Sequence, residues 1–337
     1  MAAINTRLTE KYQLETPIVQ AGMAFAGMAP PLCIAVCEAG AMGSIACVGI
    51  IPPEGNQQQM EGTQSGTDKP FHANYITPYT TDAHIAVMAE ARPAAVSFHW
   101  GTPTPSWVAT LKAAGIDIWV QVGSVDDARH AVDGGADVVV SQGSEAGGHN
   151  YGAASLVSLT PLVVDAVGDD ALVVAAGGIG DGRGLAAALA LGADGAWIGT
   201  RFVASKEAMV ADEYKDRLVA SGIGDTTLTH MFGRHHPEFN PMRVLRNRVV
   251  GEWSDRFADV PADNSAEPLV GRMDLFGEET ELRKFTNMVP MKGATGDFDE
   301  FPLLCGEGVG LIRDVRPAAE IVKNLTDGAR AVLDRLR

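Results

Sequence analysis

Two glycine-rich stretches carry the residues that could do chemistry. The first, VVVSQGSEAGGH from Val138 to His149, is a short apolar run that breaks into glycine and ends in a histidine. The second, VVAAGGIGDGRG from Val173 to Gly184, consists mostly of glycine after its apolar run. An apolar strand that gives way abruptly to glycine is typical of a buried strand that delivers a loop to a ligand. The two stretches together predict one loop that carries out proton transfer and one loop that binds an anion.

His149 is the candidate catalytic base, because an imidazole can accept a proton near neutral pH with little tuning. The alternative is a histidine that only donates a structural hydrogen bond. Glu145, in the same loop, could orient His149, contact the substrate or only pin the loop. His99, in SFHWGTP, follows another predicted strand, and it is either a rival base or a substrate contact.

The second stretch predicts a phosphate site. It lacks the dinucleotide-binding fingerprint, because Arg183 stands where the third glycine should fall. Backbone amides at Gly177 and Gly178, close to the start of a predicted helix, could still hold an anion. Gly199 and Thr200, after the last predicted strand, are their expected partners. Purely structural glycine turns are the alternative.

Three further residues stand at the ends of predicted strands. The side chains of Asn74 and Gln121 could hydrogen-bond the edge of an aromatic cofactor, and Met23 could pack on its face. Their alternative role is to cap the strand ends.

Other catalytic and metal-binding motifs are missing from the sequence. It has no GxSxG, Walker, HExxH or paired CxxC motif, so hydrolase, nucleotide-kinase and zinc functions have no support. The pair His235 and His236 has no acidic or cysteine ligand at a useful spacing, so we predict no metal site there. Cys33 and Cys37 would share one helix face and are interpreted as core residues.

Short apolar runs alternate with helical stretches through the first two hundred residues. Eight strands are predicted, at 17–20, 42–46, 71–75, 95–98, 117–122, 138–141, 172–175 and 195–198. Regular alternation implies parallel strands and favours a (β/α)8 TIM barrel over an open doubly wound sheet. In such a barrel, both glycine-rich loops lie on the catalytic face.

The alternation stops near residue 210. We predict a barrel at 1–209, an inserted cap of helices and loops after strand eight at 210–302, and a C-terminal segment at 303–337 whose last helix returns to the barrel. A helix is also expected to begin at Pro161, because proline commonly opens helices.

Composition limits the partners. The chain has 26 Lys and Arg against 42 Asp and Glu, a formal net charge of -16, which disfavours nucleic acid and anionic membrane surfaces. The first residues do not form a signal peptide, and no apolar run is long enough to span a bilayer. We expect a cytoplasmic protein, with a homodimer kept as an option.

Several of these segments together resemble one enzyme family. PIVQAGMAFAG, SQGSEAGGH, AAGGIGDGRGLAAALALGADGAWIGTRF and RVLRN are similar to the FMN-dependent nitronate monooxygenases, formerly called 2-nitropropane dioxygenases. The same superfamily holds flavin-dependent enoyl reductases and quinone reductases. The resemblance covers roughly the predicted barrel.

The resemblance implies an FMN site and a role for the histidine. The phosphate would lie on Gly177, Gly178, Gly199 and Thr200, and the isoalloxazine would lie near Gly22, Met23, Asn74, Gln121 and Gly148. His149 matches the histidine of the family's AGGH segment and would be the catalytic base.

Three activities remain open on the sequence. The first is oxidation of an alkyl nitronate by dioxygen to a carbonyl compound and nitrite. The second is NAD(P)H-dependent reduction of an enoyl thioester or a quinone through the flavin. The third is that of a flavin-free barrel enzyme acting on a phosphosugar. This activity would leave Met23 and Asn74 without a functional role.

Overall fold

The computed structural model describes residues 4–235 and 240–336. The first nine strands are β1 (Ile18–Gln20), β2 (Gly43–Ala46), β3 (Phe71–Ile76), β4 (Ala95–His99), β5 (Asp117–Val122), β6 (Val138–Gln142), β7 (Gly148–His149), β8 (Leu172–Ala176) and β9 (Gly195–Ile198). All except β7 form one parallel sheet in the order β1-β9-β8-β6-β5-β4-β3-β2. The sheet closes through a parallel bridge between Val19 and Met42. The predicted (β/α)8 barrel is therefore confirmed.

The helices surround this barrel and extend beyond it. They are α1 (Arg7–Tyr12), α2 (Pro30–Glu38), α3 (Pro53–Gln64), α4 (Asp82–Ala91), α5 (Pro105–Ala113), α6 (Val125–Asp133), α7 (Leu156–Val167), α8 (Gly182–Ala190), α9 (Thr200–Val203), α10 (Asp212–Ala220), α11 (Arg248–Trp253) and α12 (Ala318–Leu336). Short 3-10 turns occupy Thr77–Tyr79, Ile223–Asp225, Ser254–Asp259, Phe298–Glu300 and Glu307–Leu311. In the part of the chain that the structure describes, none of these helices is long and apolar enough to cross a bilayer.

Side-chain alternation along the strands separates two cores. Val138 and Val140 pack inside the barrel with Trp119 and Trp197, whereas Val139 belongs to the layer between the strands and the outer helices. This follows from the two-residue period of a strand. Large rings fill the barrel interior, so the ligand space lies above it rather than through it.

Helix α7 begins five residues earlier than predicted. It starts at Leu156, and Pro161 lies inside it. Proline was expected to open the helix, but Ser155 has the extended backbone of an N-cap residue and Glu145 satisfies the first amide. The expectation was wrong because a residue distant in sequence supplies the cap.

The segment at 210–302 contains strands that the sequence prediction missed. They are β10 (Thr226–Thr229), β11 (Met242–Leu245), β12 (Leu269–Leu275), β13 (Glu278–Arg283) and β14 (Thr295–Gly296). They form two antiparallel sheets, β10-β11-β7 and β13-β12-β14. Strands such as EETELR in β13 escape prediction because they are mostly exposed and polar. The division at 209 and 302 remains a prediction.

Helix α12 lies against the barrel helix α8. A Cβ atom added to Gly182 would lie 2.5 Å from the backbone nitrogen of Ala329 and the carbonyl oxygen of Leu325. Only glycine permits this approach of the two backbones. The contact fixes the C-terminal segment beside the loop that precedes α8.

Candidate active site

One large cleft opens at the carboxyl ends of the barrel strands. It encloses about 1300 Å³, counting the open solvent at its mouth. Residues from β1, β3, β4, β5, β6, β8 and β9, or from the loops after them, line it together with residues from 210 onwards. Among the described residues that line the cleft, none is Asp, Glu, Lys or Arg.

His149 lines this cleft on the short strand β7. Met242 and Arg243 of β11 pair with His149 and Gly148, so the inserted segment holds the histidine loop from outside the barrel. Gln142, at the end of β6, donates a hydrogen bond from Nε2 to the carbonyl oxygen of His149 at 3.0 Å. The rings of Trp100 and His149 are nearly perpendicular, with a centroid distance of 4.5 Å.

A buried arginine also holds the histidine loop. Arg243 donates from Nε and Nη2 to the carbonyl oxygen of Ser144 at 3.1 and 2.9 Å. Its Nη1 pairs with Glu307 at 3.0 Å, and the Glu307 amide donates to the carbonyl oxygen of Glu145. These contacts act on the backbone of the loop and not on the imidazole of His149, a residue that lines the cleft.

Glu145 is placed differently from His149. Both of its carboxylate oxygens accept from the Leu156 amide, at 3.1 and 2.9 Å, at the start of α7. The side chain is not among the described residues that line the cleft. These hydrogen bonds fit the expected alternative in which Glu145 pins the loop, rather than the one in which it contacts the substrate.

A buried hydrogen-bonded chain supports the floor of the cleft. Asn74 donates from Nδ2 to the Ser97 hydroxyl at 2.8 Å, and that hydroxyl lies 3.1 Å from His72 Nδ1. His72 Nε2 lies 3.2 Å from the carbonyl oxygen of Gln20 and must carry the proton there, since a carbonyl only accepts. Burial lowers the pKa of His72 to about 4. Neutral His72 therefore fixes the orientation of Asn74.

Asn74 lies directly against the backbone of Gly22. A Cβ atom built on Gly22 would be 2.1 Å from the Asn74 Oδ1 and Cγ atoms. Both residues line the cleft, as does the neighbouring Met23. Position 22 thus requires glycine because the Asn74 side chain lies so close to its backbone, and not because of its backbone angles.

His99 and Gln121 both bring polar side chains to the cleft lining. The His99 Nε2 atom is enclosed and has no hydrogen-bond partner among the described residues, although other atoms of the residue are partly exposed. Burial, together with repulsion from the imidazoles of His72 and His149, lowers the pKa of His99 to about 3. A group this weakly basic is a poor rival to His149. Buried, unpaired polar groups at a cleft floor fit an aromatic cofactor with hydrogen-bonding edges.

Four backbone amides belong to residues of the cleft lining that follow the last two barrel strands, and we call them the cradle. Gly177 and Gly178 follow β8, and Gly199 and Thr200 follow β9. Within residues 4–235 and 240–336, none of their N–H groups donates a hydrogen bond. Gly177 and Gly178 have φ values of 113° and 69°, which glycine adopts readily. Adjacent free N–H groups are a site for a phosphate.

The start of α8 does not contribute to this cradle as expected. Asp181 is the N-cap residue and accepts from the Arg183 amide at 2.9 Å, so its carboxylate already satisfies that end of the helix. Gly180 to Gly182 line a separate, smaller cavity. The phosphate expectation therefore rests on the loop amides and not on the dipole of α8.

Sequence reasoning missed the outer wall of the cleft. Val210, Tyr214, Asn287, Val289 and Leu304 line it from beyond the barrel. No local motif marks these residues. The glycines of LLCGEGVG were the only available signal, and Gly306 and Gly308 do reach the cleft.

Three non-glycine residues of the cleft lining have a left-handed backbone. Phe25, Val48 and Trp100 have φ values of 66°, 34° and 59°, and all three follow barrel strands and line the cleft. Positive φ is unfavourable for bulky and β-branched residues and is found most often at functional sites. None of the three was singled out from the sequence.

Two other sequence interpretations concern residues away from the cleft. His236 lies outside the described residues, so the predicted absence of a metal site at His235 and His236 stays a prediction. Cys33 and Cys37 are fully buried in α2, as expected of core residues.

The fold and the cleft define a barrel enzyme with an anion cradle after its last two strands. Comparison with known proteins identifies its family. The nitronate monooxygenase family profile matches residues 5–84 and 77–328, and the chain belongs to this family of oxidoreductases.

Two curated relatives have different activities in their names. A nitronate monooxygenase of Pseudomonas aeruginosa is 31% identical, with 96% of this chain and 99% of the relative covered. The (3aS,4S,5R,7aS)-5-hydroxy-7a-methyl-1-oxo-octahydro-1H-indene-4-carboxyl-CoA dehydrogenase of Rhodococcus jostii is 34% identical over 88% of this chain and 77% of the relative. Among solved structures, FabK from Thermotoga maritima has 31% identity and a TM-score of 0.80, with 99% of both chains covered.

Proposed function

We propose that this protein binds FMN and oxidises alkyl nitronates with dioxygen to a carbonyl compound and nitrite, with His149 as the catalytic base. One observation carries the proposal: the His149 loop, the enclosed Nε2 atom of His99 and four backbone N–H groups that donate no hydrogen bond among the described residues line one cleft. Membership of the nitronate monooxygenase family supports the reaction class.

The cofactor we propose is the mononucleotide. The cradle amides of Gly177, Gly178, Gly199 and Thr200 suit a terminal phosphate. Beyond Gly178 the backbone of Gly308 packs close, since a Cβ atom on Gly308 would lie 2.6 Å from the Gly178 carbonyl oxygen and 3.1 Å from the Gly180 nitrogen. This contact separates the cradle from the smaller cavity at Gly180 to Gly182, which argues against a longer dinucleotide.

The floor residues would hold the flavin ring. Asn74, oriented by Ser97 and neutral His72, and Gln121 offer amide groups to its polar edge, while Met23 offers an apolar contact. Bound there, FMN would supply the electron transfer that links the nitronate to dioxygen.

His149 would handle the proton at the substrate carbon. As a neutral imidazole it takes the α-proton of a nitroalkane, and as an imidazolium it holds the nitronate oxygens. Among the described residues that line the cleft, none is Lys or Arg, so His149 is the group that we propose to hold the substrate's negative charge. His99, with its lowered pKa, would contact substrate or flavin only as a neutral ring.

Purification and a nitrite assay test the proposal. The protein should purify yellow or take up FMN in one equivalent, and it should release nitrite from propyl nitronate in air without reduced nicotinamide. A colourless protein that binds no FMN would exclude every flavin function. An FMN-loaded protein that releases no nitrite would exclude nitronate oxidation alone.

A second candidate function is NAD(P)H-dependent reduction of an enoyl thioester or a quinone. The likeness to FabK over 99% of both chains favours it, as does an outer wall with room for a larger substrate. In this reaction His149 would donate a proton or contact the thioester. Rapid anaerobic bleaching of the flavin by NADH or NADPH, together with no nitrite from nitronates, would establish the reductase instead.

A further inference from the structure

The outer end of the cleft differs in chemistry from its floor. The residues beyond the barrel that supply side chains to the lining are Val210, Tyr214, Asn287, Val289 and Leu304. The Tyr214 hydroxyl is already used, since it donates to the Leu304 carbonyl oxygen. Asn287 is therefore the single side chain of this wall that offers an unused polar group, and the rest of the wall is apolar.

Leu304 connects this wall to the catalytic loop. A Cβ atom built on Gly148 would lie 3.6 Å from Leu304 Cδ1, which is ordinary van der Waals contact beside His149. The Tyr214 hydroxyl and an antiparallel bridge to Val244 hold the Leu304 backbone in place. The side chain itself stays half-buried and faces the cleft.

Ile76 supplies a second half-buried aliphatic side chain. It ends β3 and pairs in register with His99 of β4. Val210 and Val289 also line the cleft, and their segments are joined where the Ala211 amide donates to the Pro290 carbonyl oxygen. Both valines are buried. Leucine and isoleucine thus present apolar surface next to the two cleft histidines, on a rigid backing.

We propose that the substrate carries an uncharged aliphatic body of several carbons, which packs on Leu304 and Ile76 while its reacting head lies at His149. This proposal rests on the proposed function of the same cleft. An unpaired charge at the far end of the substrate would be costly there, because the described lining offers no counter-charge. A small nitronate such as that of nitroethane would leave this wall exposed.

Chain-length dependence tests the proposal. We would measure kcat/KM for the nitronates of nitroethane, nitrobutane and nitrohexane, and for that of 6-nitrohexanoate. Burying each methylene should raise kcat/KM about threefold to fourfold. The 6-nitrohexanoate derivative should lose most of the gain of nitrohexane. In Leu304→Ala the ratio of hexyl to ethyl kcat/KM should fall about tenfold.

A matched control and a turnover-independent readout complete the test. Leu228→Ala removes a leucine that is 40% exposed and outside the cleft lining, and it should leave the ratio unchanged. Acetate, butyrate and hexanoate, followed through the flavin absorbance of the FMN-loaded protein, should bind about threefold to fourfold tighter per methylene. The Leu304→Ala protein should show a weaker dependence.

The two readouts separate the two proposals. Nitrite from every nitronate at equal kcat/KM, with equal carboxylate affinities, would overturn the apolar substrate site and leave nitronate oxidation standing. No nitrite from any nitronate, with carboxylate binding still dependent on chain length, would overturn nitronate oxidation and support the apolar site.

Discussion

The side-chain amide of Gln142 donates to the carbonyl oxygen of His149 at 3.0 Å, linking the last residue of β6 to the residue that we propose as the base. Its Oε1 accepts from the Tyr151 amide at 3.4 Å, so one buried side chain holds the backbone at His149 and at Tyr151. The position of the imidazole thus depends on a barrel strand as well as on its own loop.

Removing this link should slow turnover more than it weakens cofactor binding. For Gln142→Ala, which removes both of these contacts, we expect kcat to fall about tenfold or more, with FMN affinity within about twofold because the cradle is untouched. Steady-state kinetics and FMN titration measure the two effects. Gln64→Ala, which removes a surface glutamine that also donates to a backbone carbonyl, is the control. Equal losses of kcat and FMN affinity would contradict a positioning role.

Replacing His149 itself should have a larger and selective effect. With a neutral nitroalkane as the substrate, His149→Ala should retain FMN and lose about 10²- to 10⁴-fold in kcat, as expected when a general base is removed. Stopped-flow reduction and flavin absorbance report the two properties. His130→Ala, at an exposed position on α6, should change neither. Loss of FMN from the His149 variant would mean that the histidine is structural.

The sequence was sufficient to locate the site residues that lie at the ends of strands. The barrel places each strand end on one face, so His99, Gln121 and the glycines after β8 and β9 could be assigned to one cleft from local pattern alone. Asn287 and Leu304 could not be found this way. Leu304 is held at the cleft by an antiparallel bridge to Val244, distant in sequence, and Asn287 lies on an irregular segment after β13. Neither hydrophobic period nor motif reports such placement.

Gly22 provides a test of the floor geometry. In Gly22→Ala the new methyl group would stand 2.1 Å from Asn74 Cγ and 2.6 Å from its Cβ, so the whole side chain must move. We expect FMN to bind about tenfold more weakly or worse, given the cost of overpacking. Gly224→Ala is the matched control, because a Cβ atom there meets nothing within 4 Å. Unchanged FMN affinity in Gly22→Ala would exclude Asn74 from the flavin site.

His72 makes the stability of the barrel depend on pH. Its pKa is lowered by burial from 6.5 to about 4, so between these values the unfolded chain binds a proton that the folded chain does not. Stability must therefore fall as the pH drops through this window. From pH 7.5 to 5.0 we expect His72 to account for a loss of roughly 2 kcal/mol. Urea unfolding of the FMN-saturated protein at both pH values should show that loss in wild type and in the exposed-site control His130→Gln, but a smaller one in His72→Gln. An equal pH dependence in all three proteins would mean that His72 binds a proton as readily in the folded barrel as in the unfolded chain. The role of neutral His72 in orienting Asn74 would then be wrong.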